Sequence, residues 1–314
     1  MNLIGYVNRF KDYSFFEKPF TDVDAALFAA VVYSLFEKIG PDYLHPNDVF
    51  YFHELTSEQI IDINESSVFK KQNTKVLNIM KDSIRYKDVG VTLIMSVIEQ
   101  EVIEQFCAMT FLLPKVGPVV VYRGTDTSIE GWRENLNLTI HPITASHLDS
   151  VDYLNIFSKA YSNIPFIVIG HSKGGNLAYY ATLYAPYDVT CHITHSYSFD
   201  GTGFVDDSFT KRDTYHKLLP QMIQIVPRQS FVGELFENPP NKTFIKSKKK
   251  STKSSKTKSS SKKGTYVASK NSKIRHFSNC KYVSKIKSYN KLTFKTKSAA
   301  IKAGKTKSCS SCHA

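Results

Sequence analysis

A chain of 314 residues with 42% hydrophobic side chains, 21 Phe and 18 Tyr among them, can bury one large core and carry something small besides. Its longest apolar run, Ala25 to Phe36, stops at about a dozen residues, short of a membrane span, and its first residues lack a basic segment followed by an apolar core, so a cytoplasmic protein with no transmembrane segment is expected. The net charge of +13 is uneven: residues 245–314 hold 21 Lys and Arg and no acidic residue, leaving 20 basic against 28 acidic side chains before them.

In chain order, residues 22–38 read as a helix capped by Thr21 or Asp22 and stopped by Gly40-Pro41. Glu54 to Asp82 has helical spacing, with Thr56-Ser57-Glu58 as a start. Two strands follow, Ala108–Leu113 and Val119–Gly124, across a turn at Pro114–Pro118; the β-branched run Val119-Val120-Val121 suits a central strand. That strand ends in Arg123-Gly124-Thr125-Asp126, a turn fixed either by an Arg123–Asp126 pair or by use as a binding loop. Trp132 and Glu134 open a further helix, with Trp132 expected to pack, and Val151–Ser162 forms the next. Cys107 and Cys191 stand singly among apolar residues and are expected in the core.

The stretch Ile164–Asn176 organises the chain. An apolar strand, then Gly170-His171-Ser172-Lys173-Gly174, then a run of small and apolar residues gives strand, tight turn and helix. Serine at G-x-S-x-G in that setting is a nucleophile elbow, which holds Ser172 in a strained conformation with Oγ above the sheet. The Lys173 N–H, at the positive end of the new helix, then faces an oxyanion formed on Ser172, and Thr125 at the end of the earlier strand supplies a second donor.

Asp200 follows Ser172 by 28 residues, after the strand Ile193–Phe199. It stands where a triad acid can orient a base, or else makes an Asx-turn before Gly201. A last strand, Met222–Pro227, leads to Ser230-Phe231-Val232-Gly233. The base has no clear owner. His216 is the candidate after the acid, though a surface histidine on a helix is its blander reading; His192 and His195 come next, and His171 in the elbow is expected to pack.

These stretches, with Pro19–Asp24, Phe106–Phe111 and Tyr122–Asp126, resemble an uncharacterised bacterial α/β-hydrolase family related to the class 3 lipases. The resemblance covers residues 1–245 and implies a three-layer α/β sandwich, Ser172 as nucleophile, and lipase or esterase chemistry on an ester or lipid-like small molecule. Members of that family continue into a Gln-His-Asp segment that would supply the base; here Asn241–Ser247 runs into lysines.

Residues 246–264 are nearly all Lys, Ser and Thr, and are expected to form a disordered linker. Residues 265–314 then hold a short strand at Thr265–Ser269, His276-x3-Cys280, a helix at Ser298–Gly304, and Cys309-x2-Cys312. Two close pairs supply four N and S ligands, a closed shell for a structural Zn2+ around which a small α+β module can fold. The module resembles the metal-binding domain of the Ada methyl-phosphotriester repair protein. His276 replaces the leading cysteine of that domain, so the resemblance implies structural zinc and nucleic-acid contact but no methyl transfer. The basic residues 245–314 suit nucleic acid or another polyanion; alternatively they only separate two modules. The reading is therefore a serine hydrolase with a zinc-containing basic tail. Its rival is a catalytically dead hydrolase fold used as a binding module.

Overall fold

Alternate residues of the central strands enter different cores, and that alternation sets the layers. The computed structural model describes residues 1–39, 45–46, 48–99, 101, 104–125, 141–246, 265–310 and 312. The chain divides into two units, Met1–Ser247 and Lys248–Ala314. The first runs α1 (Leu3–Phe10), α2 (Asp22–Val31), β1 (Phe50–Tyr51), α3 (Ser57–Ile63), α4 (Lys70–Met80), β2 (Gly90–Glu99), β3 (Glu104–Leu113), β4 (Gly117–Tyr122), α5 (Ala145–Ala160), β5 (Phe166–His171), α6 (Lys173–Tyr184), α7 (Tyr187–Thr190), β6 (Ile193–Phe199), α8 (Tyr215–Leu218), β7 (Met222–Pro227) and β8 (Lys242–Ile245).

The eight strands lie in sequence order; β1 to β4 pair antiparallel and β4 to β8 parallel. Every parallel connection therefore steps the same way across the sheet, and right-handed crossovers put their helices on one face. Val120, Tyr122, Phe166 and Val168 point there, against Tyr153 and Leu154 of α5 and Leu177 and Ala181 of α6. Val119, Val121, Ile167 and Ile169 point to the other face, covered by α2 and α4 through Phe28, Val31, Val76 and Leu77. The result is an α/β fold of three layers.

Local chemistry moves several boundaries. Thr21 caps α2, and Asp24 closes the capping box. The helix stops at Val31 instead of 38 because Leu35 N–H donates to the Ile63 carbonyl at 2.8 Å and Ser34 Oγ donates to Asn64 at 2.9 Å, tying the chain to the end of α3. The stretch from Glu54 divides into two helices, with Thr56 and Gln59 as the capping box of the first. β2 and β8 are strands that the residue pattern did not yield above, and Pro227 is thus not the sheet's last edge. Cys107 is buried, but Cys191 is exposed at the end of α7. The stop at Gly40-Pro41, Asp126, Trp132, Glu134 and the segment 247–264 lie outside the described residues.

Among its described residues the second unit has a four-stranded sheet in the order β11-β9-β10-β12, from β9 (Tyr266–Ser269), β10 (Ile274–Phe277), β11 (Lys291–Phe294) and β12 (Lys307–Ser308), with one short α-helix, α9 (Lys297–Lys302). Its buried apolar cluster is small: Val267, Val283, Cys280 and Cys309. Arg275 and Lys305 serve as internal clips. Lys305 Nζ donates to three carbonyls, of Ser269, Lys270 and Ser272, at 2.8–2.9 Å.

Candidate active site and metal centre

Ser172 sits between the last residue of β5 and the first of α6 with φ 55° and ψ −127°. A non-glycine residue there stores about 1–3 kcal/mol of backbone strain, held by packing around it. Two constraints hold it. Ser172 N–H donates to the Phe199 carbonyl at 2.9 Å, and the flanking glycines have no room for side chains. A Cβ on Gly170 would run into the Gly174 carbonyl, and one on Gly174 into the Tyr122 carbonyl. The G-x-S-x-G spacing is thus a steric requirement of this turn.

Lys173 is the first residue of α6, and first-turn amides have no acceptor within their own helix. Its side chain is buried and turned away from the elbow's surface: Nζ donates to the carbonyl of Gln105 and, at 3.3 Å, to Oε1 of the same residue. Across the elbow, Gly124 packs against the Tyr33 hydroxyl and the His171 carbonyl, which brings half-buried Thr125 beside the turn. Arg123 is buried and paired with Glu37 at 2.8 Å. Asp126, its expected partner, is outside the described residues.

Asp200 stands at the end of β6, on the same sheet edge as Ser172, with φ 52°. Its carboxylate makes no bond to the Gly201 turn; Oδ2 accepts from Ser230 Oγ at 2.8 Å and Oδ1 from Gly233 N–H at 3.1 Å. The loop after β7 therefore fixes the acid. Sequence reasoning picked out Ser230-Phe231-Val232-Gly233 but assigned it no partner.

The histidines separate by sheet edge. His192 precedes β6, and His195 pairs with Ile167 near the amino end of the strands. His216 is exposed on α8, a few residues ahead of Met222, the first residue of β7. At about 3.3 Å per residue these three lie a strand's length from Ser172, at the opposite edge. Two others share its edge. His171 directs Nδ1 to Tyr33 at 3.0 Å, and burial pushes its pKa below the usual value, only partly offset by the charge of Asp200. His147, which the residue pattern did not single out, is buried in α5: Nδ1 accepts from Thr144 N–H at 3.0 Å, so Nε2 carries the proton donated to Asn176 Oδ1 at 2.7 Å. Asn176 in turn donates to the carbonyls of Thr202 and Gly203, linking α5, the elbow helix and the acid loop.

Beside His171 and Asp200 lies a cavity of about 240 Å3 walled by α2, α4 and the carboxyl ends of β6 to β8.

In the second unit, the ligand atoms of His276, Cys280, Cys309 and Cys312 all lie within 4.8 Å of one another. Cys280 Sγ and His276 Nδ1 are 3.5 Å apart. A tetrahedral zinc with bonds of about 2.3 Å to sulfur and 2.0–2.1 Å to nitrogen separates such a pair by roughly that distance. The Phe277 N–H points at Cys312 Sγ at 3.4 Å, a donor that stabilises a thiolate. Donor set and spacing fit a closed structural zinc site, which these four residues can hold.

Among family models, one described as Mbeg1-like matches residues 80–296, more than half of the chain. That family is linked to lipase-like folds. A search of curated proteins finds no match.

Proposed function

The chain belongs to the Mbeg1-like family, and from that premise we propose that it is a serine hydrolase acting on a carboxylic ester. One observation carries this reading: Ser172 held at φ 55° and ψ −127°, between two sterically obligatory glycines, at the start of a helix and the carboxyl edge of a parallel sheet. In this reading Ser172 Oγ bonds to the acyl carbon, the ester C–O bond breaks, and the serine's proton leaves with the alcohol. Water then attacks the acyl-enzyme, releasing the carboxylic acid and restoring the hydroxyl. The N–H groups of Lys173 and Thr125 hold the oxyanion, and Asp200 is the acid of the proton-transfer pair. A fluorophosphonate probe tests it: labelling at Ser172, abolished in Ser172→Ala, supports the hydrolase, and no labelling of the native chain overturns it.

A specific observation favours a second reading. Among the described residues, both oxygens of Asp200 accept from Ser230 and Gly233 and from no imidazole, and His192, His195 and His216 lie at the far edge. A hydrolase fold kept as a binding module would tolerate this.

For the tail we propose a structural zinc, supported by the cluster of His276, Cys280, Cys309 and Cys312, and contact with nucleic acid or another polyanion through residues 245–314, supported by their 21 basic side chains and the absence of acidic ones. Counterion release would make the affinity fall steeply between about 50 and 200 mM salt. A salt-independent affinity, or none for DNA, RNA and anionic liposomes, overturns it. Three cysteines held as metal-ligating thiols suit a reducing compartment, which supports a cytoplasmic location.

A further inference from the structure

The cavity beside the elbow is lined almost wholly by apolar side chains. Gln72, His171 and Asp200 are its only polar members among the described residues; the rest of the wall is apolar. Its breadth comes from α2. Ala26, Ala29 and Ala30 share one face of that helix, at spacings of three and four, and each presents a single methyl group to the space. Phe69, just before α4, and Ile225, Pro227 and Ile245 of β7 and β8 close the other sides.

Location ties this space to the chemistry. His171 is the residue before the nucleophile, and Asp200 is the candidate acid, so the cavity's wall reaches the residue next to Ser172 and the end of the neighbouring strand, although Ser172 itself is not among its lining residues. Size limits the occupant. An apolar cavity of about 150 Å3 takes benzene, six carbons, so about 240 Å3 takes roughly eight to ten. Drug-sized ligands need about 300 Å3 or more. An unbranched chain gains affinity with each methylene buried, and the wall offers almost no polar group to compete with it.

The geometry points to this cavity as the acyl-chain pocket of the hydrolase: the substrate is an ester of a medium-chain carboxylic acid of about eight to ten carbons, and the α2 alanines set that length. The assignment rests on the serine-hydrolase reading for turnover, but not for binding.

Two measurements on the full chain test it and keep the two readings apart. The first is kcat/KM over p-nitrophenyl esters from acetyl to palmitoyl. The expected optimum is at octanoyl or decanoyl; Ala29→Leu, or the half-buried Ala26→Leu if the first variant fails to fold, moves it to shorter chains. Each variant should lower the ratio of the octanoyl to the acetyl value at least tenfold. The second is the thermal shift of Ser172→Ala with octanoate, which needs no catalysis. A rise in melting temperature that Ala26→Leu removes supports the pocket even if no ester is turned over, in which case only the hydrolase reading falls. A flat chain-length profile unchanged in the variants, or no octanoate-dependent shift in Ser172→Ala, overturns the pocket whatever the esterase activity.

Discussion

Ser230 donates its hydroxyl hydrogen to Oδ2 of Asp200 at 2.8 Å, joining the loop after β7 to the acid at the end of β6. Gly233 N–H takes the other oxygen, so the carboxylate is clamped at both ends. Removing the hydroxyl in Ser230→Ala leaves one oxygen of a half-buried charge without this donor. The expected cost is about 1–2 kcal/mol in urea denaturation, the range for a hydrogen bond to a charged group that keeps some solvent. If Asp200 orients the base, fluorophosphonate labelling of Ser172 should also slow by about tenfold. Ser230→Thr, which keeps the hydroxyl, should restore both. An unaltered stability in Ser230→Ala would mean that the Gly233 amide alone holds the acid.

His171 gives the first unit a pH dependence whose sign follows from its burial. Its folded-state pKa is lowered, burial being the larger effect and the Asp200 charge a smaller opposing one. Well above pH 7 the ring is neutral in both folded and unfolded chains. Below about 6.5 the unfolded state takes up the proton first, so stability falls with pH until the folded pKa is passed, by at most about 1.4 kcal/mol per pH unit. His171→Gln should remove that part of the slope between pH 7.5 and 5, measured as the difference in urea midpoints between variant and parent. Equal slopes would show that His171 titrates alike in both states.

The histidines at the amino edge should be silent in catalysis. His192, His195 and His216 each lie a strand's length from Ser172, beyond any proton transfer without a chain of intermediaries. Replacing each by Ala should leave labelling and ester turnover within a factor of about two. A hundredfold loss, the lower range for a general base, would put that residue in the site.

The elbow was readable from residues because its constraint is local: only glycine fits at 170 and 174, and a strand and helix must flank them. Asp200 was readable for a related reason, since a strand's carboxyl end fixes which edge the next residue occupies. The clamp by Ser230 and Gly233 was not, because it joins loops 30 residues apart through a sheet order that no periodicity carries. The Val-, Ile- and Thr-containing run Gly90–Glu99 bears a strand signal that would have revealed β2. β8 is harder: its four residues are half-buried or exposed, and Lys242 and Thr243 read as the approach to a linker. The cavity was invisible because three alanines on a helix look like good helix formers until the opposing strands are known. Cys191 was misplaced by composition, since the turn after α7 turns it outward.

Zinc should decide whether the second unit folds. Its buried apolar residues are few, and two of them, Cys280 and Cys309, are themselves in the metal cluster. So little buried area cannot offset the ordering of about 50 residues, at roughly 1–2 kcal/mol each for backbone alone. Metal binding must then supply much of the folding free energy, on the order of 10 kcal/mol for structural zinc. Elemental analysis of the full chain should find one zinc per molecule, reduced in Cys309→Ser. Amide exchange in that variant, or after chelation, should rise throughout β9 to β12, while residues 1–245, which have their own cores, keep their protection and melting temperature. The clips made by Arg275 and Lys305 should loosen with the rest, since they bind only backbone and hydroxyl groups of the same unit. Protected amides in β9 and β10 of a metal-free chain would show that the clips and the small core suffice without the ion.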